Sequence, residues 1–117
     1  MKLISLKIHG FGGLTNIEAL FSLLSEIKPN MVFLQEKMCD HSQALLSFAK
    51  VRPGWEFCTS DSLGLFGGLF TGWDPTIVCC KDFVLWFGIL VKVFMRNQAL
   101  ELTCLNCYGP HLNRTVF

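Results

Sequence analysis

The length and charge of the chain limit its class. Its 117 residues fit one domain, taken here as residues 1–117, because domains usually have about 100–150 residues. Apolar residues make up 51% of the chain and charged residues 16%, a balance that excludes a disordered protein. The formal net charge of +1 excludes a strong overall attraction to nucleic acid or to a membrane surface.

The strand and helix patterns alternate in the first half of the chain. Thr15 and Glu18 have capping-box spacing, apolar residues at helical spacing follow, and Pro29 stops the helix. The run that follows is continuously apolar, which is typical of a parallel strand buried on both faces. The elements predicted here are a strand at Lys2–Ile8, a helix at Thr15–Ile27, a strand at Met31–Leu34 and a second helix at Asp40–Ala49.

After Pro53 and Gly54 the pattern changes to short strands separated by turn residues. Arg96–Gln98 predicts the turn of a hairpin between the last two strands. The predicted strands are Trp55–Thr59, Gly67–Trp73, Thr76–Cys80, Phe83–Met95 and Ala99–Cys107. An order of βαβα followed by a β meander predicts a layered α/β fold.

Neither the apolar runs nor the N-terminus predicts a membrane or export segment. The strongest apolar run, Phe83 to Val91, is far shorter than the roughly 20 residues that a membrane-spanning helix needs. Met1 to Leu6 leads into Lys7, His9 and glycines, unlike a signal peptide. We therefore expect an intracellular protein whose six cysteines stay reduced.

The cysteines favour packing over metal binding. Cys104 and Cys107 have C-x-x-C spacing, but no second pair lies at zinc-finger spacing. In a strand these two side chains point to opposite faces, which opposes shared ligation of one metal. Buried thiols that act as small apolar groups are the expected arrangement.

Polar residues follow the first two predicted strands. Lys7 and His9 come at the end of the first strand, and Gln35 and Glu36 come at the end of the second. Open parallel sheets bind ligands at this edge. Glu36 is therefore a candidate ligand for Mg²⁺, which prefers carboxylate oxygens, and the alternative is a solvated glutamate at a strand end. His9 belongs to no metal-binding spacing, which favours a surface or core histidine over a metal ligand.

Four short motifs, taken in chain order, resemble one known family. They are Leu6–Gly10, Phe33–Glu36, Gly67–Leu69 and Leu105–Pro110. The set resembles the endonuclease/exonuclease/phosphatase superfamily, and within it is most similar to the apurinic-type endonuclease of plant LINE-type (non-LTR) retrotransposons. The resemblance implies a DNase I-like, two-sheet α/β sandwich, of which this chain is expected to be a truncated N-terminal half.

The resemblance also implies Mg²⁺-dependent hydrolysis of a DNA phosphodiester, and a nuclear location. Glu36 then holds the metal, Tyr108 contacts the scissile phosphate, and Asn106 of the same motif is expected to bind substrate. The family has an Asn near the metal and the phosphate in its first motif. Lys7 takes that position here, and His9 stands in place of the usual basic residue.

Two later family motifs, G-D-x-N and S-D-H, do not occur among the 117 residues. In the family they supply the Asp that activates water and the His that stabilises the phosphate. We therefore expect an inactive descendant that binds Mg²⁺ negligibly and self-associates through an apolar sheet face meant for a missing second sheet. Two alternatives stay open: a half-enzyme completed by a partner chain, and an interaction module that uses the apolar face.

Overall fold

The computed structural model describes residues 1–7, 14–35, 46, 48–60, 68–85 and 88–107. Within these residues one bounded helix and seven strands follow one another along the chain. They are β1 (Leu3–Lys7), α1 (Leu14–Ile27), β2 (Met31–Gln35), β3 (Glu56–Ser60), β4 (Leu69–Trp73), β5 (Val78–Leu85), β6 (Gly88–Met95) and β7 (Glu101–Cys107). Residues 48–51 are also helical. The predicted start of that second helix, at Asp40, lies outside the described residues.

The strands form two sheets, which confirms the layered α/β prediction. The first sheet has the order β1-β2-β4-β3, with β1 and β2 parallel and β4 antiparallel to both of its neighbours. The second sheet is the antiparallel set β5-β6-β7. The β-rich half is therefore not one meander, because β3 and β4 complete the first sheet. Every residue of β4 is buried, as its central place in that sheet requires.

The end of α1 is capped by Lys28 and hydrogen-bonded to Lys2, the residue before β1. Lys28 has a positive φ of 54°, and its N–H donates to the Leu24 carbonyl at 2.8 Å, which closes the helix as a left-handed cap before Pro29. Lys2 donates from Nζ to the Ile27 carbonyl at 2.9 Å. The helix dipole stabilises a cation at this carboxyl-terminal end. The start of α1 differs from the prediction: Thr15 lies inside the helix, which begins at Leu14.

The β5–β6 hairpin has other strand ends than the sequence predicts. The predicted break at Lys81 and Asp82 is wrong, because these residues pair with Lys92 and Val91 in the ladder and their exposed side chains remain solvated. Phe83–Met95 is not one strand, since β5 runs to Leu85 and β6 begins at Gly88. The predicted hairpin between β6 and β7 is confirmed, and the Met95 N–H donates to the Leu100 carbonyl at 3.1 Å.

Two apolar cores separate three layers. The core between the helices and the first sheet contains Leu20, Leu24, Val32, Leu34, Phe48, Val51 and Phe70. The core between the two sheets contains Met31, Phe33, Cys58, Leu69, Trp73, Val78, Ile89, Val91, Val93 and Met95. The strands β5–β7 form a second sheet that packs on the first, whereas the expectation was a missing second sheet. Self-association through an exposed apolar sheet face stays a prediction. Among the described helices, none is long and apolar enough to cross a membrane.

Candidate functional site

Polar side chains collect at one corner of the layer between the sheets. Alternation along β1 and β2 sends Val32 and Leu34 towards α1 and leaves Gln35 on the side that faces the second sheet. The parallel register pairs Lys7 with Gln35. Two neighbouring carboxyl-terminal strand ends therefore meet at this corner, as the sequence analysis predicts for a parallel pair.

A chain of hydrogen bonds joins the two sheets at this corner. Gln35 donates from Nε2 to the Ser5 hydroxyl at 3.0 Å and to Asn106 Oδ1 at 2.9 Å. Asn106 donates from Nδ2 to the Phe70 carbonyl at 3.0 Å and to the Thr71 hydroxyl at 3.1 Å. Asn106 is 1% exposed, so this amide is buried but satisfied. Four strands, β1, β2, β4 and β7, thus meet through side chains.

The described residues include part of the predicted site. Lys7 is exposed at the end of β1, and Asn106 lies buried near the end of β7. His9, Glu36 and Tyr108 lie outside the described residues, so their proposed roles stay predictions, as does substrate binding by Asn106. Glu36 directly follows Gln35 in the chain, and Tyr108 follows Asn106 by two positions.

The bond between Gln35 and Asn106 is not predicted by the sequence pattern. The two residues are 71 positions apart. Both belong to the motifs that carry the resemblance, which is the one signal that could have linked them. Nothing in the linear pattern marks Ser5 or Thr71 as their partners, because both look like ordinary strand residues.

The residues in the described ranges do not by themselves form a metal site. Among them, no group of three or more His, Cys, Asp or Glu side chains is placed to hold an ion. The neighbour of Gln35 across the strand end is the cationic Lys7, a poor companion for a divalent ion. The set described does not fit Mg²⁺, and the assignment of Glu36 to the metal stays a prediction.

Three cysteine thiols, those of Cys58, Cys80 and Cys104, pack together in the core between the sheets. Burial, with a hydrogen bond to Asp82 and the charge of that carboxylate, raises the pKa of Cys58 to about 12. Burial, and then the neighbouring Cys79 and Cys104, raise the pKa of Cys80 to about 12. Burial also raises the pKa of Cys104. A raised pKa keeps these thiols protonated at neutral pH, in agreement with the expected packing role.

The raised pKa values predict a loss of stability at alkaline pH. Because the folded chain keeps the two thiols protonated above the ordinary value of 9.0, their contribution is fully present below pH 9 and is lost as the pH rises towards 12. Urea unfolding at increasing pH measures this. We expect the double variant Cys58→Ala/Cys80→Val to lose less unfolding free energy over that range than the wild type.

The matched control for this experiment is Cys79→Ala, which removes an exposed thiol. It is expected to keep most of the wild-type pH dependence. Equal slopes in the wild type and the double variant would contradict the assignment of the alkaline loss to Cys58 and Cys80.

Three solved structures share this fold over most of the chain. Humanized D. rerio TDP2 carrying 14 mutations matches with a TM-score of 0.64 and 20% identity, over 88% of this chain and 48% of that chain. AP endonuclease LMAP from Leishmania major matches with a TM-score of 0.62 and 20% identity, over 93% and 40%. D. rerio TDP2 complexed with a single-strand DNA product matches with a TM-score of 0.63 and 21% identity, over 88% and 44%.

These likenesses identify the fold. The chain has a partial DNase I-like α/β fold and spans less than half the length of the three solved chains. No protein-family model matches the sequence, and the search of curated proteins finds no match.

Proposed function

We propose that this chain is a degenerate part of a Mg²⁺-dependent retrotransposon endonuclease and that it does not cleave DNA by itself. The observation that carries the proposal is the polar corner. There the DNase I-like fold brings together Lys7 of the first motif, Gln35 of the second and Asn106 of the last. An AP endonuclease and a TDP2 complexed with a single-strand DNA product share the fold, which supports DNA as the ancestral substrate. The nuclear location stays an expectation from the family resemblance.

The proposed roles follow the motifs. Glu36 is the metal ligand, Tyr108 is the phosphate contact, and His9 stands in the basic position of the first motif. If Glu36 held Mg²⁺ as in the family, the ion would supply neutralisation of charge on the phosphoryl oxygens. The Asp of G-D-x-N and the His of S-D-H are not among these 117 residues, so these residues do not supply the groups that activate water and stabilise the phosphate.

The charge of Lys7 opposes metal binding in this proposal. An Asn at that position is neutral and offers an oxygen, whereas Lys7 brings an ammonium to the strand end beside Gln35. Two unit charges about 4 Å apart interact by about 4 kcal/mol at an effective dielectric constant near 20, and a divalent ion doubles that repulsion. The same ammonium attracts the Glu36 carboxylate. Lys7 thus acts as a resident cation in place of Mg²⁺.

Calorimetric titration of Mg²⁺ tests the role of Lys7. We expect negligible binding by the wild type and weak binding by Lys7→Asn, because the substitution removes the competing charge. The double variant Lys7→Asn/Glu36→Gln should lose that binding again, since the proposed carboxylate ligand is gone. Equal affinity in the wild type and Lys7→Asn would exclude the substitution of Lys7 for the metal.

Plasmid nicking tests the proposed inactivity. The purified chain is expected to show no Mg²⁺-dependent nicking above background, because general-base and electrostatic groups each contribute on the order of 10²–10³-fold in enzymes. Glu36→Gln serves as the matched control. Nicking by the wild type that needs Mg²⁺ and disappears in Glu36→Gln would overturn the proposal.

Exposed apolar side chains favour a second candidate, an interaction module. Phe83, Val84 and Leu105 of the second sheet are 48%, 54% and 42% exposed. Phe83 and Leu105 both flank Leu90 across the ladder, so they lie on one face of the sheet. Size-exclusion chromatography run beside the nicking assay separates the candidates. A defined, inactive oligomer supports the interaction module, and activity that appears only with a second polypeptide supports a half-enzyme.

A further inference from the structure

The amide orientations of Asn106 and Gln35 follow from one fixed partner. The Phe70 carbonyl can only accept, so the group that Asn106 presents to it at 3.0 Å must be Nδ2. Asn106 Oδ1 then faces Gln35, so Gln35 must donate to it from Nε2, at 2.9 Å. A flip of either amide would set oxygen against oxygen or nitrogen against nitrogen. The backbone of β4 therefore determines how both side chains point.

The direction of the Gln35 side-chain carbonyl oxygen is fixed by the same hydrogen bonds. The two Nε2 hydrogens are given to Asn106 and to the Ser5 hydroxyl, which leaves Oε1 on the far side of the amide from these partners. Gln35 is the last residue of β2, and Lys7 is its register partner. An acceptor of fixed direction is thus set at the polar corner, one residue before Glu36.

Asn106 itself has little capacity left for a ligand. Both Nδ2 hydrogens are donated, to the Phe70 carbonyl and the Thr71 hydroxyl, and Oδ1 accepts from Gln35. Its side chain is buried between β4 and the end of β2. Within the described residues, no buried side-chain nitrogen or oxygen lacks a hydrogen-bond partner. This arrangement suits a group that orients another side chain better than one that touches substrate.

We propose that Asn106 is a positioning residue that fixes the Gln35 amide, so that Gln35 Oε1 is an oriented hydrogen-bond acceptor at the end of β2. The inference rests on the proposed function only for the identity of the site at that corner. Asn106 is held by the Phe70 carbonyl of β4 and in turn holds Gln35 at the end of β2, directly before Glu36. Loss of the Asn106 side-chain amide releases the Gln35 amide even where the strands remain paired.

Side-chain amide signals in NMR spectra test the orientation directly. In the wild type, the Gln35 Nε2 protons should exchange slowly and resonate away from the positions of free glutamine. In Asn106→Leu, which has no oxygen to accept from Gln35, they should move towards free-glutamine positions and exchange faster, while backbone amide signals of β1 and β2 keep their dispersion. A residue with a merely structural role would change stability without releasing Gln35 selectively.

The pH dependence of Asn106→Asp provides a second readout. A carboxylate cannot donate to the Phe70 carbonyl, whereas a protonated carboxyl can, so folding raises the pKa of the introduced acid. Its stabilising contribution is present at low pH and is lost as the pH rises. The thermal midpoint should therefore lie below that of the wild type at neutral pH and approach it below about pH 4.

Asn30→Asp is the matched control at every pH. Asn30 Oδ1 accepts from the Lys2 N–H at 2.9 Å, a role that a carboxylate oxygen performs as well. If Asn106→Asp does not fold, the exchange of the Gln35 Nε2 protons in the wild type and in Asn106→Leu decides by itself. Free-glutamine exchange of Gln35 in the wild type, or an Asn106→Asp variant that behaves like Asn30→Asp, overturns the inference. Neither readout uses nicking or Mg²⁺, so failure of the proposed function is seen separately.

Discussion

Phe70→Ala is expected to lower the free energy of unfolding by about 3–5 kcal/mol, the usual cost of a cavity left by a buried phenylalanine. Phe70 is fully buried, and its ring lies 4.6 Å from the Phe48 ring and 5.4 Å from the Phe57 ring, measured between centroids. Domains have roughly 5–15 kcal/mol of total stability, so this single loss threatens folding. Urea titration followed by tryptophan fluorescence measures it.

Phe21→Ala is the matched control, because Phe21 is 49% exposed on α1 and its ring contacts Arg52 at 6.0 Å from the centroid. We expect its loss to stay within about 1 kcal/mol. Similar losses for the two variants would show that Phe70 does not lie in the core between the helices and the first sheet.

Gly88→Ala is expected to cost about 1–3 kcal/mol or more, because the new methyl group has no space. An ideal Cβ on Gly88 would lie 2.5 Å from the Asn106 carbonyl oxygen and 3.0 Å from Cys107 Cα. Both obstacles are backbone atoms of β7, so the strands must separate locally. We therefore expect this substitution to disturb the Asn106 side-chain amide signals as well as to lower the urea midpoint.

Gly54→Ala separates steric crowding from backbone strain. Gly54 has a φ of 86°, and nothing lies within 4 Å of its ideal Cβ, so Ala there is opposed only by the left-handed backbone, at about 1–2 kcal/mol. It should leave the Asn106 signals unchanged. Undisturbed Asn106 signals in Gly88→Ala would contradict the close approach of β6 and β7.

The sequence pattern predicted correctly those helices and strands whose buried faces show as a regular spacing of apolar residues. The helical spacing before Pro29 and the apolar run from Met31 predicted α1 and β2, because one face or both faces of each element are buried. The β5–β6 turn was misplaced, since Lys81 and Asp82 carry turn-like charges but lie on a solvated part of a strand.

The sequence by itself determined the α/β class, the parallel pairing of the first two strands and the place of polar residues at their carboxyl ends. These depend on periodicity and on strand direction, which are local properties. Only the tertiary structure decided that β3 and β4 join the first sheet and that Asn106 bonds to Gln35 from 71 residues away. Those contacts depend on how the two sheets pack against each other. A buried amide must be hydrogen-bonded, but which groups lie within reach of it is determined only by the folded structure.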